Sequence, residues 1–446
     1  MVQHTAGSRE RFGTRAGFVL AAIGSAVGLG NMWRFSYLAA ENGGAAFVLL
    51  YVAMTAAVGL PVLLAELVIG RSAQRSPIAA LTHFGGTRWR PLGVLFVASG
   101  FLILGYYGVI AGWTLRLVFE AASAGFDPDA AAHFADTATG PEAVAWHVGF
   151  LAVTVVIVTG GVKGGIERAN LLLMPLLFAI VVGLALYAAT LDGAGAGYRY
   201  YLSADFGELL SLSVLRDAAG QAFFSLSLGM GAMMTYASYL GPDADLPDES
   251  ATIAGADFAV AFVAGLLVFP LIFALGLQQE VGSSTVGALF ITLPHAFAEM
   301  GAVGRWVGLL FFVALLVGAL TSAISLLEVV VASAIDVWGL SRRTAAIGLG
   351  ALIAGVGVPA ALDLDVLGAM DQLAGNVFLI LGGLALALFV GFVIPAPERE
   401  LETGAGPVRW FFLWRFLLRW LVPTVLAVVL ASAVPATLAS LRSLFG

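Results

Sequence analysis

Apolar positions in this chain come in long, nearly unbroken runs, separated by short clusters of charged, polar, glycine and proline residues. Most runs exceed the ~18 residues that let a helix cross a bilayer core of ~30 Å. Read as helices, they give eleven spans at residues 15–38, 45–70, 92–120, 145–160, 170–190, 213–240, 251–277, 305–335, 344–361, 373–394 and 410–438. In hydrocarbon every backbone N–H and C=O must be satisfied within the protein, so the expected class is an all-α polytopic membrane protein. A composition that is 60% hydrophobic and 11% charged leaves little for a soluble domain.

Two of the spans are interrupted. Span 1 contains "GSAVGLGN" and span 6 contains "SLSLGMG", Ser225 to Gly231. A single glycine in a membrane helix usually lets a neighbour approach. Clusters at the first and sixth positions predict two five-helix repeats, each opened by a broken helix, the arrangement that places a transporter's binding site at the repeat interface. The expected organisation is an N-terminal segment 1–14, a first repeat 15–190 (spans 1–5), a second repeat 213–394 (spans 6–10), and span 11 at 410–438.

Orientation follows the basic residues. With the N-terminus cytoplasmic, fifteen of the twenty-one Lys and Arg residues fall on the inner side and six on the outer side. Eleven spans then leave the C-terminus extracellular. The acidic loop "GPDADLPDES" after span 6 dissents, but acidic residues contribute little to this rule.

Charge and motifs exclude several classes. A net charge of −7 argues against a nucleic-acid partner. The absence of cysteine removes disulfide and thiolate chemistry. No H-E-x-x-H or G-x-S-x-G occurs, and the five histidines (His4, His83, His133, His147, His295) fall at the terminus, in loops or near span ends, so an enzyme is not expected. "GMGAMM" lies in an apolar span with no strand before it and does not read as a nucleotide loop.

The stretches "RERFGTRAGFVLAAIGSAVGLGNMWRFSYLAAENGGAAF", "GQAFFSLSLGMGAMMTYASYL" and "ALTSAISLLE" closely resemble the neurotransmitter:sodium symporters, in particular their prokaryotic amino-acid branch. The resemblance covers spans 1 to 10. It implies a LeuT-like fold, a 5+5 inverted repeat with helices 1 and 6 broken, here in an eleven-transmembrane-helix variant of a family that commonly has twelve. The activity it implies is Na⁺-coupled symport of an amino acid by alternating access.

Carried over position by position, the resemblance implies a first Na⁺ site from the Ala26 carbonyl, the side chains of Asn31, Ser225 and Asp257, and the substrate carboxylate. A second site would use the carbonyls of Gly24, Val27 and Gly318 with the hydroxyls of Thr321 and Ser322. Oxygen donors suit a hard cation. Alone, "LTSAIS" reads equally as Ser/Thr helix packing; the two broken helices favour the ion site. Asp257 stands where many relatives have asparagine, and Ala261 where some have glutamate or a chloride-ligating serine. No chloride is therefore expected.

The substrate carboxylate would meet the N–H groups of Leu29 and Gly30 and the Tyr107 hydroxyl, and its amino group the carbonyls of Ala26, Phe224 and Ser225. Gly28 replaces the aspartate that monoamine carriers of the family place there, which favours an amino acid. The side-chain pocket would be Ile103, Tyr107, Phe224, Ser227, Met230, Ser322 and Leu326. It is free of charge, so a hydrophobic or aromatic neutral substrate is expected. Arg34 and Asp371 would form an outer ion pair above a Tyr107/Phe224 lid, and Arg9 and Asp336 an inner pair near Tyr239. Glu66 and Glu328 would support the broken helices as buried hydrogen-bond partners. A transport-inactive sensor of the same fold, or a carrier of another small organic solute, stays open. The expected setting is the cell membrane, with the lipid bilayer as partner and a homodimer left open.

Overall fold

The computed structural model describes residues 9–207, 211–277 and 285–443. Residues 1–8 of the expected N-terminal segment, His4 among them, lie outside the described residues. Among those described the protein is helical throughout, and its one β-bridge pairs Gly44 with Ala204.

Among the described residues, nine helices are long and apolar enough to cross a membrane: Ala45–Ala73 (span 2), Thr87–Ser123 (span 3), Pro141–Thr159 (span 4), Val162–Ala188 (span 5), Leu246–Ala274 (span 7), Gly301–Trp338 (span 8), Arg342–Leu362 (span 9), Leu364–Val393 (span 10) and Phe411–Arg442 (span 11). A tenth crossing is a bent pair, Arg15–Ala26 and Gly30–Glu41, which meet at 64° and form span 1. Leu212–Ser225 and Ala232–Ala237 lie where span 6 is expected; at 14 and 6 residues each is too short to be counted among these ten crossings.

Both breaks have local causes. Span 1 leaves the helix at Val27, where ψ of 111° is extended, and resumes as a π-turn over Gly30–Arg34. Span 6 stops after Ser225. Ser227 then takes a left-handed φ of 53°, and Gly229 and Gly231 have φ of 77° and 75°. The carboxylate of Glu66, fully buried in span 2, accepts the backbone N–H of Gly229 at 2.9 Å and of Met234 at 3.1 Å. It thus satisfies donors that the broken helix would otherwise leave bare.

Span 8 is buried along most of its length and packs against spans 1, 3 and 5. Spans 4, 5, 9 and 11 present large apolar side chains outward, among them Val156, Leu172, Leu352 and Phe412. The two broken spans and span 8 therefore meet at the centre, with the lipid-facing helices around them.

Short helices absent from the apolar pattern join the spans: Pro77–Gly85, Ala130–Thr137, Ala194–Leu202, Leu293–Glu299 and Glu398–Ala405. The last docks through Arg71 of span 2, which is 3% exposed, pairs with Glu400 at 2.5 Å and donates to the Thr403 carbonyl at 3.1 Å.

Candidate functional site

The break in span 1 faces span 7 and the first half of span 6. Asn31, Ser225 and Asp257, the expected first-site side chains, are all buried and bonded to one another. Asn31 Nδ2 donates to Asp257 Oδ1 at 2.6 Å and to Ser225 Oγ at 2.8 Å, and Ser225 Oγ donates to the Asp257 carboxylate at 2.8–2.9 Å. Asn31 Oδ1 accepts the Gly28 N–H at 3.1 Å. Tyr51, which sequence reading missed, donates its hydroxyl to Asp257 Oδ2 at 3.1 Å. Three oxygens, Ser225 Oγ, Asp257 Oδ1 and the Asp257 carbonyl, thus converge around one amide N–H₂ group. A cation fits this set if it takes the place of that group once the Asn31 amide turns its oxygen inward.

A second oxygen cluster lies between spans 1 and 8. Ser322 Oγ lies 3.4 Å from the carbonyls of Gly24, Ser25 and Val27. Thr321 Oγ1 donates to the carbonyls of Val317 and Gly318, each at 3.1 Å. All five residues expected at the second site are therefore together. Ser25, one position beyond Gly24, was not anticipated. Its hydroxyl donates to Ser325 Oγ at 2.7 Å, and its carbonyl accepts Ser227 Oγ at 2.6 Å, tying the two breaks to each other. Among the described residues, no group of three His, Cys, Asp or Glu side chains could hold a metal ion, so any cation site here is built of hydroxyl, amide and carbonyl oxygens with a single carboxylate.

Between the two clusters lies a small cavity lined by Ala26, Leu29, Gly30, Ile103, Tyr107, Phe224, Ser227, Met230, Ser322 and Leu326, with Ser25, Gly28 and Asn31. Every expected substrate residue lines it except Ser225, which sits behind it in the first cluster. Tyr107 Oη is buried without a partner and faces Gly28. A Cβ on Gly28 would come within 2.8 Å of Ser322 Oγ and 3.2 Å of Tyr107 Oη, so the wall is closed to any larger residue unless both give way.

Arginine contacts flank the cavity on two sides. Toward Arg9, Arg9 Nη1 bonds both Asp336 oxygens at 3.0 Å, Nε donates to Ser238 Oγ at 3.1 Å, and the guanidinium lies 4.9 Å over the Tyr239 ring. The expected inner pair is present. Toward Arg34, the expected Arg34–Asp371 pair is not formed. Arg34 instead lies 5.0 Å over the Phe224 ring, because the π-turn at Gly30–Arg34 sets the guanidinium above the ring that abuts Gly30. Glu328 is buried and bonds span 6 at its Tyr239 end. It does not cap the break in span 6 as Glu66 does. It pairs with Arg342 of span 9 at 2.6 Å and accepts the Tyr239 hydroxyl, which makes it part of the Arg9-side closure.

Sequence reading missed the rest of that closure. Glu10 binds Arg342 at 2.8 Å and accepts the Val162 N–H at 2.7 Å, and Glu167 accepts the Gly13 N–H at 2.6 Å and the Thr14 hydroxyl at 2.8 Å. Charged residues at span ends carry no sequence signal that distinguishes a latch from topology-setting surface charge.

A pair of unwound membrane helices, two oxygen clusters and a cavity between them are the arrangement of a secondary transporter. The sequence pattern of the Sodium:neurotransmitter symporter family matches residues 9–127 and 130–441, and the chain belongs to that family. It is 35% identical to an uncharacterised sodium-dependent transporter, YhdH, of Bacillus subtilis over 91% of this chain and 94% of that protein. Identity is also 35% to an uncharacterised sodium-dependent transporter of Methanocaldococcus jannaschii, covering 77% of this chain and 73% of that protein. Among solved structures it is similar to MhsT in complex with L-phenylalanine, with 40% identity, a TM-score of 0.86, and coverage of 96% of this chain and all of that one. The fold is accordingly the LeuT-like one, and the chain is a multi-pass membrane transporter of a sodium-dependent family.

Proposed function

We propose that this protein couples the inward movement of Na⁺ to the uptake of a hydrophobic or aromatic neutral L-amino acid across the cell membrane, by alternating access and without chloride. One observation carries the reading: a cavity with apolar side-chain walls, free of charged residues, lies between two oxygen clusters at the breaks of spans 1 and 6. An amino acid's zwitterionic end matches the freed backbone there. The N–H groups of Leu29 and Gly30 and the Tyr107 hydroxyl suit a carboxylate, and the carbonyls of Ala26, Phe224 and Ser225 suit an ammonium. Gly28 leaves room for the carboxylate. The phenylalanine bound by the similar MhsT is of the class this cavity favours.

Two Na⁺ ions fit the donor sets. Asn31, Ser225, Asp257 and the Ala26 carbonyl would hold one, with the substrate carboxylate completing the shell. Gly24, Val27, Gly318, Thr321 and Ser322 would hold the other, latching span 1 to span 8. The Asp257 carboxylate supplies within the first site the negative charge that a chloride supplies in relatives, and Ala261 has no group with which to bind one. Each tenfold Na⁺ gradient is worth about 1.4 kcal/mol, and each inward charge about 2.3 kcal/mol per 100 mV. Two ions moving down both would supply roughly 7 kcal/mol, enough to concentrate a zwitterion about 10⁵-fold. Because ion and carboxylate touch at the first site, each raises the other's affinity. The Arg9 side faces the cytoplasm in this reading, in keeping with the basic residues gathered there.

The test is uptake into proteoliposomes under an imposed Na⁺ gradient, with a panel of competing amino acids and amines. Leucine, phenylalanine, tyrosine or tryptophan should compete and dopamine-like amines should not. Substrate binding that ignores Na⁺ would sink the proposal.

A further inference from the structure

Span 5 brings a polar side chain to the second oxygen cluster that none of the expected site residues includes. Asn170 is fully buried. Its Nδ2 donates to the Ile166 carbonyl at 2.9 Å, which fixes the amide plane, and its Oδ1 is buried with no hydrogen-bond partner. A buried acceptor left bare costs about 1–3 kcal/mol. The oxygen points at Gly24. A Cβ on Gly24 would run into Asn170 Oδ1, and on the same side would meet Thr321 Cβ at 3.0 Å and Met174 Sδ at 3.1 Å. Gly24 and Thr321 are both members of the second cluster, so the bare amide oxygen lies directly against one of its five residues, Gly24. Glycine at 24 is what permits the approach. Asn170 also lies three residues beyond Glu167, whose carboxylate holds Gly13 and Thr14, so it sits between the Arg9-side closure and the cluster.

We propose that Asn170 is a further residue of the second Na⁺ site, offering its amide oxygen to the ion from the Arg9 side. The assignment rests on reading the Gly24/Val27/Gly318/Thr321/Ser322 cluster as a Na⁺ site. An amide oxygen is a hard donor of the kind this ion takes. Its place on span 5 gives the ion an oxygen to pass to as spans 1 and 8 separate, where a bare apolar wall would offer none.

The experiment is equilibrium binding of ²²Na⁺ to the full-length protein in nanodiscs at pH 8, without substrate, alongside melting temperatures in Na⁺-free buffer. Thr321→Val tests the cluster itself and should raise the half-saturating Na⁺ concentration. Asn170→Ala removes the donor and should raise it about threefold. Asn170→Asp keeps the shape, adds charge and should lower it about tenfold. Melting in Na⁺-free buffer reports any purely structural loss, including loss of the hydrogen bond to the Ile166 carbonyl, which neither alanine nor an ionised aspartate can donate. If Thr321→Val weakens binding and both Asn170 variants bind as the parent does, Asn170 is a packing strut and the proposal is overturned. If Thr321→Val has no effect, the reading of the cluster falls, and the Asn170 assignment with it.

Discussion

Asn31 Nδ2 and Asp257 Oδ1 meet at 2.6 Å, joining the break of span 1 to the middle of span 7 in a wholly buried contact. A carboxylate at that depth is expensive unless partnered, and functional by default. Here its partners are Asn31, Ser225 and Tyr51. If Asp257 stands in for a bound chloride, the two should be exchangeable. Asp257→Asn should lose Na⁺-driven uptake in chloride and in gluconate alike. Adding Ala261→Ser should restore part of it in chloride only. Uptake of the parent protein that requires chloride would contradict the idea.

Gly28 sets the room for a substrate carboxylate. A Cβ there meets Ser322 Oγ at 2.8 Å and Tyr107 Oη at 3.2 Å. Gly28→Asp should abolish binding of hydrophobic amino acids by steric and like-charge conflict, while the fold persists. Competition binding measures the first and the melting temperature the second. Gly28→Ala should fall between the two.

Glu66 holds two backbone donors of span 6, at Gly229 and Met234. Glu66→Ala leaves both bare, at ~1–3 kcal/mol each. The expected result is a marked drop in melting temperature. Glu66→Gln retains one acceptor oxygen and should lose less.

The chain has no cysteine, so a single reporter thiol needs no prior editing of the sequence. Ser325 is 1% exposed and lies on span 8 between Ser322 of the cavity and Glu328. In a Ser325→Cys background, Arg9→Ala should speed labelling by a membrane-impermeant thiol reagent applied from the Arg9 side. Arg34→Ala should not.

What the sequence made legible was polarity out of place. Asn31, Ser225, Asp257, Thr321 and Ser322 stand in apolar runs, and the structure gathers them into two clusters. The glycine groups marked both helix breaks. The Glu10–Arg342 and Glu167–Thr14 contacts were hidden because charges near span ends look alike whether they latch or merely face water. The Arg34–Asp371 pair failed because a competing aromatic partner, Phe224, becomes visible only once span 6 is placed. Asn170 was missed for a boundary reason. Starting span 5 at residue 170 put the amide at a helix end, whereas the structure begins that helix at Val162 and buries Asn170 two turns inside.

The two closures of the cavity are unequal. Toward Arg34 the guanidinium rests on one aromatic ring, a contact of ~0.5–2 kcal/mol. Toward Arg9 the contacts link the N-terminal segment with spans 5, 6, 8 and 9 through Arg9–Asp336, Arg9–Ser238, Arg342–Glu328, Arg342–Glu10 and Glu167–Thr14. An imbalance of about 2 kcal/mol would set the empty protein roughly 30 to 1 in favour of opening on the Arg34 side. In the transport cycle proposed above, the same asymmetry would give the two faces different entry thresholds: a ligand arriving past Arg34 would displace one ring contact, and a ligand arriving past Arg9 would have to undo a network of ionic and hydrogen-bonded contacts.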